Sequence, residues 1–204
     1  MFLTFALSIL MFTACKSDKK ESTDQQQKEE TTTLYSIDAE ASSLDWVAYK
    51  TTEKKPVKGT FKTIKVKNSN PAPTIKEAIN NVYFSIPVSS LFTNEPTRDS
   101  KLKEFFFGVM DDTEMIAGEF NINDKESNVS IKMNGITKTI PIKLMIKDQH
   151  ARFESTLNLN DWNLQKALES INKACYDLHK GPDGISKTWD EVKITADINL
   201  KVKE

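Results

Sequence analysis

The chain has 204 residues, of which 28 are basic, 29 acidic and 2 histidine, for a formal net charge of −1. That length holds one domain of ordinary size once tails are set aside. The balanced charge excludes a global field that would gather nucleic acid or an anionic bilayer.

Residues 2–14 carry no charge and are too few to span a bilayer, which takes about 20 apolar residues. They match the apolar region of a secretory signal segment. The small residues Thr13 and Ala14 stand directly before Cys15, which resembles the box read by lipoprotein signal peptidase; Phe12 replaces the more usual Leu, and no Lys or Arg precedes the run. Residues 1–14 are therefore expected to be removed on export. Cys15 is expected to carry the lipid of a membrane-anchored protein facing the periplasm or the cell surface. Residues 16–33, KSDKKESTDQQQKEETTT, contain no large apolar side chain and cannot offset the entropy of ordering themselves. With Cys15 they form the expected disordered tether, followed by one domain over residues 34–204.

In that domain the dominant period is two. Val192, Ile194, Ala196, Ile198, Leu200 and Val202 alternate with polar residues, the pattern of a half-buried antiparallel strand. The same alternation runs through Val82, Phe84, Ile86 and Val88; Val129, Ile131 and Met133; Ile140, Ile142, Leu144 and Ile146; and Phe153, Leu157 and Leu159. Leu44 with Trp46, and Ile64 with Val66, predict weaker strands. Asn134-Gly135 is a favoured two-residue hairpin turn, and Asp148-Gln149-His150 predicts the next. Many short strands with one apolar face imply a sandwich or a closed barrel.

Two segments break the period. Residues 97–107, after Pro96, predict a short helix with Leu102, Phe105 and Phe106 on one face. Residues 164–179 predict a longer one, with Leu164, Ala167, Leu168, Ile171, Cys175 and Leu178 spaced three or four apart and Gly181 as its cap.

The order of motifs from Tyr35 to about Trp162 resembles the YceI-like family of exported lipid-binding proteins. The motifs are YSID at Tyr35–Asp38, SLDW at Ser43–Trp46, VKGTF at Val57–Phe61 and FSIPVSS at Phe84–Ser90. Arg98-Asp99, Leu102 and Phe105-Phe106 follow, then IAGEF at Ile116–Phe120 and MNGITK at Met133–Lys138. The resemblance implies a mainly β fold, an extended antiparallel lipocalin-like barrel of about eight strands, which the short and the longer helix read from the pattern would cover. It implies an interior that holds a polyisoprenoid or other lipid, and no cofactor. A barrel of about eight strands has room for one such ligand. The chain departs from the family at Lys101, where a His usually precedes the Leu, and in the helix and GPDG loop interposed after Trp162. That insertion is placed to cover one mouth of the barrel.

From the alternation, the candidate cavity wall is Phe84, Ile86, Ile131, Met133, Leu144, Ile146, Leu157 and Leu159. Arg98 could give a lipid phosphate bidentate contact; equally, Arg98 and Asp99 could cap the short helix or form a structural pair. Phe105, Phe106 and Phe107 read as core rather than as a gate.

Positive signs of catalysis are missing from the sequence: only His150 and His179 serve as conventional bases, and no glycine-rich phosphate loop or paired catalytic acids occur. Three readings follow. The leading one is a non-catalytic lipid carrier or store in the cell envelope. The second is a filled-core anchored interaction or stress-response protein without a lipid. The third is a thiol or metal site at Cys175 and His179, which stand one helical turn apart. If lipid occupies Cys15, Cys175 is an odd thiol, buried or reactive.

Overall fold

The computed structural model describes residues 33–203. The expected signal segment 1–14, Cys15 and the tether up to residue 32 lie outside the described residues. The strands are β1 Leu34–Lys50, β2 Lys55–Phe61, β3 Lys65–Lys67, β4 Tyr83–Pro87, β5 Leu91–Phe92, β6 Met115–Ile122, β7 Ser127–Met133, β8 Ile136–Pro141, β9 Lys143–Lys147, β10 His150–Asn158 and β11 Thr188–Lys203. The α-helices are α1 Ile75–Ile79, α2 Pro96–Lys101 and α3 Gln165–Ala174. None of these helices is long and apolar enough to cross a membrane.

Among the described residues the eleven strands form two antiparallel sheets, one ordered β5-β2-β1-β11-β10-β9 and the other β3-β4-β6-β7-β8. The mainly β, lipocalin-like class is as the sequence implied. The strands number eleven rather than about eight, and the two ladders do not close into one hydrogen-bonded barrel. Alternation explains the layering: β10 reads exposed, buried, exposed, buried from His150 to Phe153, and β7 buries Val129, Ile131 and Met133 in turn. β1 and β11 pair from Leu34↔Lys203 to Lys50↔Thr188, with an irregularity between Asp38 and Ser43. There Ser42 Oγ donates to the Asp38 carbonyl at 2.7 Å and accepts the Asn199 N–H at 3.1 Å.

The run from Ile140 to Ile146 is not one strand. β8 ends at Pro141, which has no N–H to give a ladder. The Ile142 N–H donates to the Ser127 carbonyl at 2.9 Å, and the chain then joins the other sheet as β9. The Asn134-Gly135 turn is as expected, with both residues at positive φ, 48° and 72°, as a two-residue turn of this type requires. In the next hairpin Asp148 and Gln149 alone form the turn, and His150 already begins β10.

The pattern reading missed α1, although its start is written as Thr74-x-x-Glu77. Thr74 Oγ1 accepts the Glu77 N–H at 3.2 Å and the Thr74 N–H donates to Glu77 Oε2 at 3.1 Å, a reciprocal capping box. α2 begins with Pro96 at its first turn and continues as a wider turn over Leu102–Phe106 and a tight one over Phe107–Val109. Its cap is Glu95, which accepts the N–H groups of Thr97 and Arg98 at 3.1 and 2.6 Å. Neither Arg98 nor Asp99 caps it, because Asp99 Oδ1 is taken by the Thr93 N–H and hydroxyl at 2.9 and 2.6 Å. α3 ends at Ala174 and tightens into a short turn over Tyr176–His179. Gly181 is not its cap; the Gly181 N–H donates to Ile185 O at 2.9 Å in the following loop.

Two glycines of the recognised motifs sit opposite aromatic rings. Gly118 pairs with Phe84 across β6 and β4, and Gly59 pairs with Trp46 across β2 and β1. A Cβ on Gly118 would lie 2.3 Å from the Ser130 carbonyl oxygen and 2.4 Å from Phe84 Cζ; on Gly59 it would lie 2.2 Å from Trp46 Cζ2. Each ring therefore lies flat on the neighbouring backbone, where any side chain would displace it. Gly118→Ala is expected to cost about 2 kcal/mol or more through overpacking, a fall in melting temperature of roughly 4–8 °C for a domain of this size, measured by circular dichroism on heating.

Candidate ligand cavity

Between the inner faces of the sheets lies a cavity of about 460 Å³. Its wall comes from period-two positions: Trp46 and Ala48 of β1, Ile131 and Met133 of β7, Leu157 of β10, and Val192, Ile194 and Ala196 of β11. Phe84, Phe120 and Phe153 form an aromatic cluster in it, with centroids 5.2 Å apart for the first pair and 4.9 Å for the second. Two residues further toward one end stand Val82, just before β4, with Ile122 and Ala151, all buried and none on the cavity wall. With Ile75, Ile79 and Leu200 they belong to the buried core, so that end of the interior is filled and the other is open.

The open end is covered by α2, α3 and the turns after each. Leu102, Phe106, Leu168, Ile171, Cys175, Leu178 and His179 line the cavity from there. Polar contacts, one fully buried and two part-buried, hold the inserted segment at its two ends. Trp162, fully buried, donates its indole N–H to Ile131 O at 3.0 Å, and Asn134 Nδ2 donates to Trp162 O at 2.9 Å. Trp189 Nε1 donates to Thr51 O at 2.7 Å. One buried polar atom of a wall residue is left over: the Trp46 indole N–H has no hydrogen-bond partner among the described residues.

Of the positions read from the sequence, Phe84, Ile86, Ile131, Met133, Leu157 and Leu159 are brought to the cavity, with Arg98 at its mouth. Leu144 and Ile146 are not. Leu144, half-buried, and Ile146, exposed, pair with Phe153 and Ala151 on the edge strand β9 and border a separate shallow cleft with Lys76 and Asn123 to Ser127. Crossing between sheets at Pro141 carries them there. Residues that pattern reading missed include Trp46, Ala48, Val192, Ile194 and Ala196; their alternation was legible, but nothing local assigns the face to a cavity rather than to a filled core. Phe107 is buried core, meeting Phe106 edge-on at 5.0 Å, and both touch the cavity. Cys175 is buried beside the mouth, and His179 Nδ1 is 2.7 Å from Thr188 Oγ1. Among the described residues no cluster of three or more His, Cys, Asp or Glu side chains could hold a metal ion.

Two antiparallel sheets with helices over the mouth of an apolar interior define a lipocalin-like β fold. The YceI-like domain profile matches residues 35–200, and the chain belongs to that family. Among solved structures, a polyisoprenoid-binding domain from Saccharophagus degradans implicated in plant cell wall breakdown is similar with a TM-score of 0.60 at 12% identity, covering 83% of this chain and 98% of that one. BcnA of Burkholderia cenocepacia is similar with a TM-score of 0.52 at 12% identity, covering 82% and 99%. No curated protein matches the chain in sequence.

The mouth is electropositive. Burial, with the nearby charges of Lys50 and Lys101, pushes the His179 pKa down to about 4, so the ring is neutral at physiological pH. The unfolded value is about 6.5. Stability from the neutral ring is therefore complete above about pH 6.5 and is lost as pH falls towards about 4, because the unfolded chain takes up the proton first. Melting temperature is expected to fall between about pH 7 and pH 4.5, and to fall less in His179→Gln. An equal fall in both proteins would assign the acid sensitivity to other groups.

Proposed function

We propose that this protein is a non-catalytic container that binds a polyisoprenoid or another long lipid and carries or stores it in the cell envelope. The observation that carries the reading is the apolar cavity of about 460 Å³ inside a YceI-like domain. It favours a container over the filled-core alternative. A neighbour of the same fold being a polyisoprenoid-binding domain supports the choice of guest. Each buried CH₂ contributes about 0.8 kcal/mol, so affinity grows with chain length until the cavity is full. At roughly 30 Å³ for a water-sized group, the cavity of about 460 Å³ takes on the order of fifteen heavy atoms. A longer chain would need the wall to yield or would extend through the mouth.

Native mass spectrometry of the full chain after gentle extraction is expected to show a bound apolar molecule; a bare protein that also fails to bind added prenyl lipids would sink the reading. Ala196→Trp places an indole into the cavity from β11, between Leu44 and Phe153. It is expected to weaken binding of a C15 prenyl chain by at least about tenfold, while the overpacking cost stays within roughly 1–3 kcal/mol.

We further propose that Cys15 anchors the protein in the membrane after export. Lipid on Cys15 would hold the container within tether reach of a bilayer and raise the local concentration of donor and acceptor lipid. Cys15→Ala is expected to move the protein from the membrane fraction to the soluble one and to abolish labelling by radioactive palmitate. Retention in the membrane fraction would point to a different attachment.

A further inference from the structure

Cations from two distant parts of the chain converge on the cavity mouth: Lys50 at the end of β1, and Arg98 and Lys101 in α2. Among the described residues none of the three lies within ion-pair distance of a carboxylate. Of the two carboxylates that reach the cavity wall neither forms an ion pair with these cations, although the Glu95 charge is felt by Arg98. Glu95 caps α2, and Glu154 pairs with Arg152 Nε at 3.2 Å. Lys50 Nζ donates to Leu178 O at 2.9 Å and Lys101 Nζ to Ala174 O at 3.4 Å, both at the C-terminal end of the α3 segment. Each ammonium carries three donors, so two on each remain free, beside the five of the exposed Arg98 fork.

Crowding has a cost: burial and the Arg98 charge together hold the Lys50 pKa below its usual value. Like charges gathered at the rim of an apolar cavity are stabilised when an anion joins them. The wall below is predominantly apolar. We infer that the mouth is an oxyanion subsite, and that the ligand is an anionic amphiphile whose chain enters the cavity and whose phosphate or carboxylate head is held by Lys50, Arg98 and Lys101. This rests on the container reading and deepens it. Arg98 would supply a bidentate fork and the two lysines point charges.

The test titrates the full chain with farnesyl phosphate, farnesoate and farnesol, which share one C15 chain and differ in the head. Fluorescence of Trp46 and Trp189, both on the cavity wall, reports occupancy. At low salt at least one anion is expected to bind about tenfold or more tightly than the alcohol, with the advantage shrinking as salt rises. Arg98→Gln and Lys101→Gln are each expected to lower the anion-to-alcohol affinity ratio at least roughly threefold, with melting curves showing that both variants fold. Preference for the phosphate over the carboxylate, or the reverse, names the kind of head. Equal binding of all three ligands would overturn the oxyanion subsite and leave the container standing. No binding by any of them would overturn both.

Discussion

Phe120 stacks on Phe153 with ring centroids 4.9 Å apart and planes 25° from parallel, and the rest of the interior depends on that contact. Phe120 belongs to one sheet and Phe153 to the other, so the stack joins two layers that no continuous ladder joins. Such a pair contributes about 0.5–1.5 kcal/mol beyond its buried area. Its larger effect is to divide the space: on one side Ile122, Val82 and Ala151 are buried in the core, and on the other the walls stand apart. Phe84 completes the cluster only because Gly118 lets its ring lie on the backbone of β6.

That division answers a stability problem. At about 24 cal/mol per Å³, a dry void of 460 Å³ would cost on the order of 11 kcal/mol, comparable to the whole folding free energy of a domain. A small domain tolerates such a space only if its framework is rigid without it and if the space is occupied by solvent or guest. Long pairing of β1 with β11, the filled end around α1, and the buried Trp162 hydrogen bond provide the frame. The helices at the other end make fewer such contacts. α2 has no buried residue, and α3 buries only Ala167 and Ile171. Local opening is easiest where buried contacts are sparse, so the mouth is the part of the fold best able to admit a chain.

How much of this was legible in the sequence follows from what each signal can encode. Period two in β7, β10 and β11 and the Asn134-Gly135 turn are local, and they read correctly. The order of motifs was enough to assign the family, and the structure explains two of its glycines as seats for Phe84 and Trp46. Pro141 also carried a readable signal, a missing N–H, yet the unbroken alternation around it hid the crossing between sheets and misplaced Leu144 and Ile146. Alternation separates inside from outside; it does not separate a cavity wall from a packed core, which is why Ala48 and Ala196 were passed over. Lys50 and Lys101 lie far apart in sequence and share no motif, so their meeting at the mouth exists only in the fold.

The two halves of the site perform different work. An apolar wall attracts any chain of suitable girth in proportion to buried area and is nearly indifferent to where along its length the chain stops. A flexible chain in such a sleeve slides. Register and direction need a contact that is strong at one place only, and charge-assisted hydrogen bonds have that character. In this protein such donors are confined to the rim, while the neutral His179 beside them adds no competing proton charge at physiological pH. In the proposed container, affinity therefore belongs to the strands and orientation to the segments that cover them. The inserted α3 segment takes part in the second role, because its carbonyls at Ala174 and Leu178 fix where Lys101 and Lys50 hold their charge.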